Sequence, residues 1–220
     1  PLLFWVAAVG CGALALHEFF RMACPFLSGL RLYITIAGCL LPLLMVAQGR
    51  VDLLIAGLMA CLLVVVANAL QGYGKMADAW RYLSCGGFAG LYISGALAHL
   101  VLIRFLPQGP TWLALLIAMI AGSDTGAYYA GRTFGRRRLF PHISPKKTVA
   151  GGIGGVLAGL VAVELVNLLT PYHCDPLWLA PVSVVLIVIG IAGDLTESLI
   201  KRSVGVKDSG SVLFGHGGLL

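Results

Sequence analysis

Charged residues are scarce in this sequence. Only 11% of its 220 residues are Asp, Glu, Lys or Arg and 59% are hydrophobic, whereas about a quarter of the residues in a soluble domain are charged. This scarcity excludes an ordinary soluble globular domain and predicts a protein that crosses a membrane several times. In such a protein the net charge of +6 reports topology and anionic partners, so we do not interpret it as affinity for nucleic acid.

Other features that the sequence lacks exclude further classes of protein. None of the six cysteines is spaced as C-x-x-C, which disfavours a disulfide framework or a cysteine metal site. The N-terminus lacks the basic region of a secretory signal peptide. The sequence also shows no internal repeat, no low-complexity tract and no stretch polar enough for a separate soluble domain.

Apolar stretches dominate what is present. Seven of them are near the length of about 20 residues that a transmembrane helix needs, and they predict an all-α, polytopic integral membrane protein. We expect one continuous membrane domain, with N-terminal transmembrane helices in 1–110 and, in 111–220, C-terminal helices and cytoplasmic loops that carry the catalytic motifs. The predicted spans are 2–16, 32–48, 51–71, 84–106, 112–131, 150–170 and 178–200.

The basic residues are distributed asymmetrically. If the seven spans alternate in direction, 13 of the 15 Lys and Arg residues fall on one side, and only Arg50 and Arg104 fall on the other. By the positive-inside rule the basic side is cytoplasmic. Two polar stretches, residues 123–152 and 194–218, belong to this side.

In the first polar stretch, Asp124 lies inside a predicted membrane span, where a carboxylate indicates a functional site. Lys146, Lys147 and Thr148 follow in a loop that Pro141 and Pro145 are expected to stiffen. In the second stretch, the i, i+3, i+4, i+7 spacing places four residues on one helix face. The members of the second stretch are Asp194, Glu197, Ser198 and Lys201, then Arg202, Lys207, Asp208, His216, Gly217 and Gly218.

This combination of residue types favours a site for a nucleoside triphosphate with Mg²⁺. Carboxylate oxygens are suitable ligands for the metal ion. Lysine side chains and the backbone amides of glycine-rich turns can neutralise phosphate oxygens.

The run Ser198-x-x-Lys201-Arg202-x-x-x-x-Lys207-Asp208, followed by Gly215-His216-Gly217-Gly218, closely resembles the signature of phosphatidate cytidylyltransferases (CDP-diacylglycerol synthases). Ser123-Asp124-x-Gly126 and Ser144-Pro145-x-Lys147-Thr148 resemble the upstream motifs of that family. The matching region covers about residues 121–218, and the first half adds only a weak Glu18-Phe-Phe-Arg21 similarity.

Three departures from the family pattern stand out. Phe214 replaces a usual Pro, and Ala150 replaces a usual Glu. The family continues after His-Gly-Gly with two residues and then Asp-Arg, an Asp that helps to hold the metal pair. The sequence stops at Leu220, one residue before that Asp. We therefore expect both ends of the chain to be cut, and we expect activity to require the missing Asp.

The resemblance implies transfer of the cytidylyl group of CTP to phosphatidate, giving CDP-diacylglycerol and pyrophosphate. It implies Mg²⁺, with a second cation such as K⁺ as a further expectation. CTP, phosphatidate and membrane lipids would be the partners, and a homodimer is expected. The site would face the cytoplasm from a bacterial inner membrane.

The resemblance also assigns roles to the polar residues. It implies catalytic roles for Asp194, Lys201, Asp208 and His216. It implies metal ligation by Asp194, Asp124 and Glu197. It implies substrate binding by Lys146, Lys147, Thr148, Ser198, Arg202, Lys207, Gly217 and Gly218.

Simpler interpretations stay open beside these. Arg136–Arg138 could be a topology signal only, Asp124 could pair with Arg132, and Glu197 could pair with Lys201 four residues along a helix. Among functions, the alternatives are a CTP-dependent kinase for a polyprenol-type lipid alcohol, a membrane transporter and an inactive fragment that keeps only the fold.

Overall fold

The protein is built mainly from long helices. The computed structural model describes residues 2–206, 209–210 and 218–219. Within these ranges, seven helical stretches are long and apolar enough to cross a membrane, which confirms the predicted all-α polytopic fold. The helices are α1 (Leu2–Ala23), α2 (Gly29–Met45), α3 (Asp52–Gly72), α4 (Ala79–Ala89), α5 (Ala96–Phe105), α6 (Gly109–Phe134), α7 (Val149–Leu169) and α8 (Pro176–Ser203), and a π-helical segment, Gly90–Gly95, joins α4 and α5 into one span.

Helix α1 is longer than predicted. The sequence analysis ended the first span at residue 16, before His17 and Glu18, whereas the helix continues to Ala23. The physical reason is burial, since Glu18, Phe19 and Phe20 are all buried in the last turns of the helix. The expected end of the first span was therefore wrong by seven residues.

The chain divides into two compact units. The first contains Pro1–Pro107 and Val204–Leu220, and the second contains Gln108–Ser203. In the first unit, a buried polar network connects α2, α3 and α4. The Thr35 and Tyr82 hydroxyls lie 2.8 Å apart, and the Asn68 amide donates to both, at 2.9 and 3.0 Å. Such a network satisfies polar groups that would be costly in an apolar interior. The predicted single continuous domain stays a prediction.

The second unit is organised by the packing of α6 against α7. The two helices run antiparallel, and their backbones approach closely where small residues face each other. A Cβ atom added at Gly122 would lie 2.5 Å from the Ala162 Cβ, and one added at Gly126 would lie 2.5 Å from the Gly154 carbonyl oxygen. Helix α8 covers this pair. The shared core consists of Leu115, Met119, Val163, Leu179 and Ile187.

A short β-ribbon connects α6 to α7, where the sequence analysis expected a proline-stiffened loop. Strands β1 (Arg138–Phe140) and β2 (Ser144–Thr148) pair antiparallel, with Arg138 opposite Thr148. Pro145 is tolerated in β2 because each strand of a two-stranded ribbon has one edge that needs no partner. The ribbon leads directly into α7, whose first turn is capped by the Thr148 hydroxyl, which accepts from the Gly151 N–H at 3.0 Å.

The close α6–α7 contact predicts a specific sensitivity to added volume. We expect Gly126→Ala to destabilise the second unit. Overpacking lowers the free energy of unfolding by about 1–3 kcal/mol, whereas the higher helix propensity of Ala raises it by only about 1 kcal/mol. Gly152→Ala is the matched control, since a Cβ there meets no atom within 4 Å. Thermal unfolding in detergent measures both variants. A Gly126→Ala variant as stable as Gly152→Ala would contradict the packing described here.

The N-cap of α7 predicts how substitution of Thr148 changes stability. Thr148→Val keeps the shape of the side chain and removes the acceptor, so it should lower stability by about 0.5–2 kcal/mol, the usual effect of losing an N-cap. Thr148→Ser keeps the acceptor and should lose less. Chemical denaturation of the two variants compares them directly, and equal losses for Val and Ser would argue against a capping role.

Candidate functional site

A cavity of about 490 Å³ lies within the second unit. Its walls come from α6, from the ribbon and the first turn of α7, and from the middle of α8. The apolar part of the wall includes Ile120, Leu186 and Ile187. Its polar lining consists of Ser123, Asp124, Tyr128, Lys146, Lys147, Thr148 and Asp194. The structure therefore brings together five predicted site residues that belong to three separate segments of the sequence.

An ion pair crosses this cavity. The Lys147 ammonium, at the end of β2, contacts an Asp194 carboxylate oxygen on α8. The Lys147 side chain is 25% exposed, and the Asp194 side chain is 59% exposed. The Asp124 carboxylate on α6 is close enough to interact electrostatically with both charges. One ammonium group thus contacts the Asp194 carboxylate and lies within electrostatic range of a second carboxylate on another helix.

The first turn of α7 also faces the cavity, through Gly151 and Gly152. The N-terminus of a helix carries partial positive charge, which attracts anions, although the Gly151 N–H itself already donates to the Thr148 hydroxyl. Lys146 and Lys147 precede this turn directly. The ribbon and the first turn of α7 therefore favour phosphate, and Asp124 and Asp194 add negative charge to the same cavity.

Other predicted residues on α8 lie outside this lining. Glu197 and Lys201 form an ion pair at 2.5 Å, which confirms the predicted i, i+4 contact. Glu197, Ser198, Lys201 and Arg202 follow Asp194 on the same helix, and none of them is among the residues that line the cavity. The roles predicted for the α8 residues stay predictions.

On α6, the Arg132 guanidinium donates to the Tyr128 hydroxyl at 3.2 Å.

The remaining predicted residues follow α8 in the sequence. Lys207, Asp208, His216 and Gly217 lie outside the described residues. Gly218 is described and belongs to the first unit. There, the backbone N–H of the next residue, Leu219, donates to the Glu18 carboxylate at 2.7 Å. The sequence analysis gave Glu18 no role, although a carboxylate in an apolar helix is itself a signal of function.

The two carboxylates of the cavity suit a Mg²⁺ ion that takes its other ligands from substrate phosphates and water. Across the part of the chain that the structure describes, no group of three or more His, Cys, Asp or Glu side chains is arranged to hold a metal ion. Mg²⁺ commonly binds through one or two carboxylates and takes its other ligands from substrate phosphates and water. Asp124 and Asp194 provide such a pair, so the donor set fits a metal that arrives with a phosphorylated substrate.

The sequence analysis missed part of the cavity wall. Leu139 on β1 and Gly190 and Ile191 on α8 line the cavity, and none of them carries a local signal of function. Only the position of the ribbon and of α8 in the fold identifies them.

Comparison with known proteins identifies the family that the sequence motifs resemble, and the match covers the whole sequence. Residues 1–220 match the cytidylyltransferase family. A protein of Bacillus subtilis (strain 168), named phosphatidate cytidylyltransferase, is 40% identical over 133 residues, which are 60% of this chain and 49% of that protein. Proteins with the same name are 35% identical in Pseudomonas aeruginosa, over 71% of this chain and 57% of the relative, and 35% identical in Brucella suis, over 86% and 65%.

The chain spans about half the length of the first of these relatives. The family match nevertheless covers every residue of the sequence, including the helices and the ribbon that build the cavity. This protein is therefore a helical membrane protein that belongs to the cytidylyltransferase family.

Proposed function

We propose that this protein transfers the cytidylyl group of CTP to phosphatidate, with CDP-diacylglycerol and pyrophosphate as products. The observation that carries the proposal is the cavity in which Lys147 contacts Asp194 and Asp124 lies nearby. The relatives from Bacillus subtilis and Pseudomonas aeruginosa, which are named for this activity, support the choice of substrates. No feature of the cavity favours a lipid-alcohol kinase or a transporter.

The charges of the cavity match the main difficulty of the reaction. An oxygen of the phosphatidate phosphate attacks the α-phosphorus of CTP, the bond from that phosphorus to the bridging oxygen breaks, and pyrophosphate leaves. Because both reactants are anionic, their repulsion must be offset before they can approach each other. Lys146, Lys147 and the N-terminus of α7 supply positive charge for the triphosphate, and the partial enclosure of the Lys147 side chain strengthens its interaction.

Asp124 and Asp194 would hold Mg²⁺, which when bound offsets phosphate charge and stabilises the leaving group. The Lys147 ammonium also balances the Asp194 carboxylate. The ion pair thus keeps both side chains within the cavity and in position for substrates. A second cation such as K⁺ and a homodimer remain predictions.

The location of the site follows from topology. The polar stretches 123–152 and 194–218 fall on the side that receives 13 of the 15 basic residues, and the positive-inside rule assigns that side to the cytoplasm. CTP is available there, and the phosphatidate phosphate lies at the membrane surface. Because the relatives are bacterial, we propose a bacterial inner membrane with the active site facing the cytoplasm.

A transfer assay tests this function. The full-length protein, purified in detergent, is given phosphatidate, Mg²⁺ and CTP labelled at the α-phosphate, and the label should enter the lipid. Lys147→Met and Asp194→Asn should each lower kcat/KM about 100-fold or more, as is typical when a preorganised charge at a reacting phosphate is removed. Lys147→Arg keeps the charge and should lose less.

The controls separate loss of function from loss of fold. Asp52→Asn removes one partner of the exposed ion pair between Arg50 and Asp52, the first residue of α3. It should leave kcat/KM within about twofold, since exposed pairs contribute little. Thermal unfolding should show that the cavity variants stay folded. Transfer of label from the γ-phosphate of CTP to lipid would instead indicate a kinase, and no transfer from either position would overturn the proposal.

A further inference from the structure

Glu18 is a buried carboxylate in the first unit. It lies on α1 and is only 3% exposed. The next two residues, Phe19 and Phe20, are also buried. A carboxylate in apolar surroundings is costly unless hydrogen bonds satisfy it. Inside a membrane span such a residue indicates a function beyond packing.

The hydrogen bonds of Glu18 reach the other end of the sequence. One oxygen, Oε2, accepts from the Ser209 hydroxyl at 3.1 Å and from the Leu219 backbone N–H at 2.7 Å. Ser209 is itself buried, with 8% exposed. A single oxygen on α1 therefore binds two points of the C-terminal segment, which we define as residues 209–219.

Two glycines leave the space that this carboxylate occupies. A Cβ atom at Gly210 would lie 2.8 Å from Glu18 Oε1, and one at Gly218 would lie 2.8 Å from Oε2. Gly218 also has a φ of +120°, a backbone conformation that side chains rarely adopt. Gly210 and Gly218 thus leave room for the Glu18 carboxylate.

The two bonds involve residues that lie close to predicted site positions in the sequence. Asp208 directly precedes Ser209, and His216 and Gly217 directly precede Gly218 and Leu219. Because the chain is continuous, anchoring Ser209 and Leu219 restricts the positions available to the residues next to them in the sequence.

We propose that Glu18 is a positioning residue that anchors Ser209 and Leu219 to α1, and that cytidylyl transfer depends on this anchoring because predicted site residues lie close to both in the sequence. The role in the reaction rests on the proposed function, whereas the anchoring itself does not. Glu18 acts through Ser209 and the Leu219 amide and need not touch a substrate.

Hydrogen exchange tests the anchoring without an activity assay. In the full-length protein, Glu18→Ala should accelerate amide exchange in peptides that cover residues 209–219 at least tenfold, because the acceptor for the Leu219 N–H is removed. Glu18→Gln keeps an acceptor oxygen of the same reach and should stay within about threefold of the wild type. Thr35→Val is the matched control, since it breaks a buried hydrogen bond elsewhere in the same unit.

Unchanged exchange in Glu18→Ala would overturn the anchoring. Equal acceleration by Thr35→Val would also overturn it, because the effect would then reflect general loosening of the first unit. If the anchoring holds, Glu18→Ala should lower kcat for cytidylyl transfer at least tenfold, and Glu18→Gln should restore most of it.

Accelerated exchange with an unchanged kcat would refute the role in the reaction. A wild-type protein that transfers no cytidylyl group would refute the proposed function, and the exchange data would still decide whether Glu18 anchors the segment.

Discussion

The close contact between α6 and α7 is the constraint on which the site depends. In a membrane, apolar side chains gain little by leaving lipid for another helix, so association relies on close packing and hydrogen bonds. Small residues let the two backbones meet, most tightly where Gly126 faces the Gly154 carbonyl. This contact sets Asp124 on α6 beside the β-ribbon and the first turn of α7, and it gives α8 the surface on which Asp194 is held.

The fold brings opposite charges together in this cavity. Lys147 and Asp194 come from different elements, and their contact fixes two side chains that would otherwise lose conformational entropy during the reaction. A partly enclosed cavity also strengthens the interaction of these charges with phosphate. The same groups thus stabilise the resting protein and favour an anionic substrate with its metal ion, which links the fold to the proposed chemistry.

Much of this arrangement could be predicted from local sequence. Asp124 and Asp194 are conspicuous because carboxylates are rare in apolar spans, and the helix count follows from hydrophobic length. The ribbon was missed because Pro141 and Pro145 indicate a loop, and a two-stranded pairing has no strong periodic signal. The bonds from Glu18 to Ser209 and Leu219 were missed because they join residues 191 and 201 positions apart, a relation that no local pattern contains. The roles assigned to Lys207, Asp208, His216 and Gly217 concern residues outside the described ranges.

The central claim is that the cavity between α6, the ribbon, α7 and α8 holds the triphosphate. An experimental structure of the full-length protein with Mg²⁺ and a CTP analogue that cannot transfer its cytidylyl group tests this claim most directly. We expect phosphate oxygens within hydrogen-bond distance of the Lys147 ammonium, and Mg²⁺ bound by Asp124 or Asp194. A nucleotide bound elsewhere, with the Lys147–Asp194 ion pair intact and the cavity empty, would contradict it.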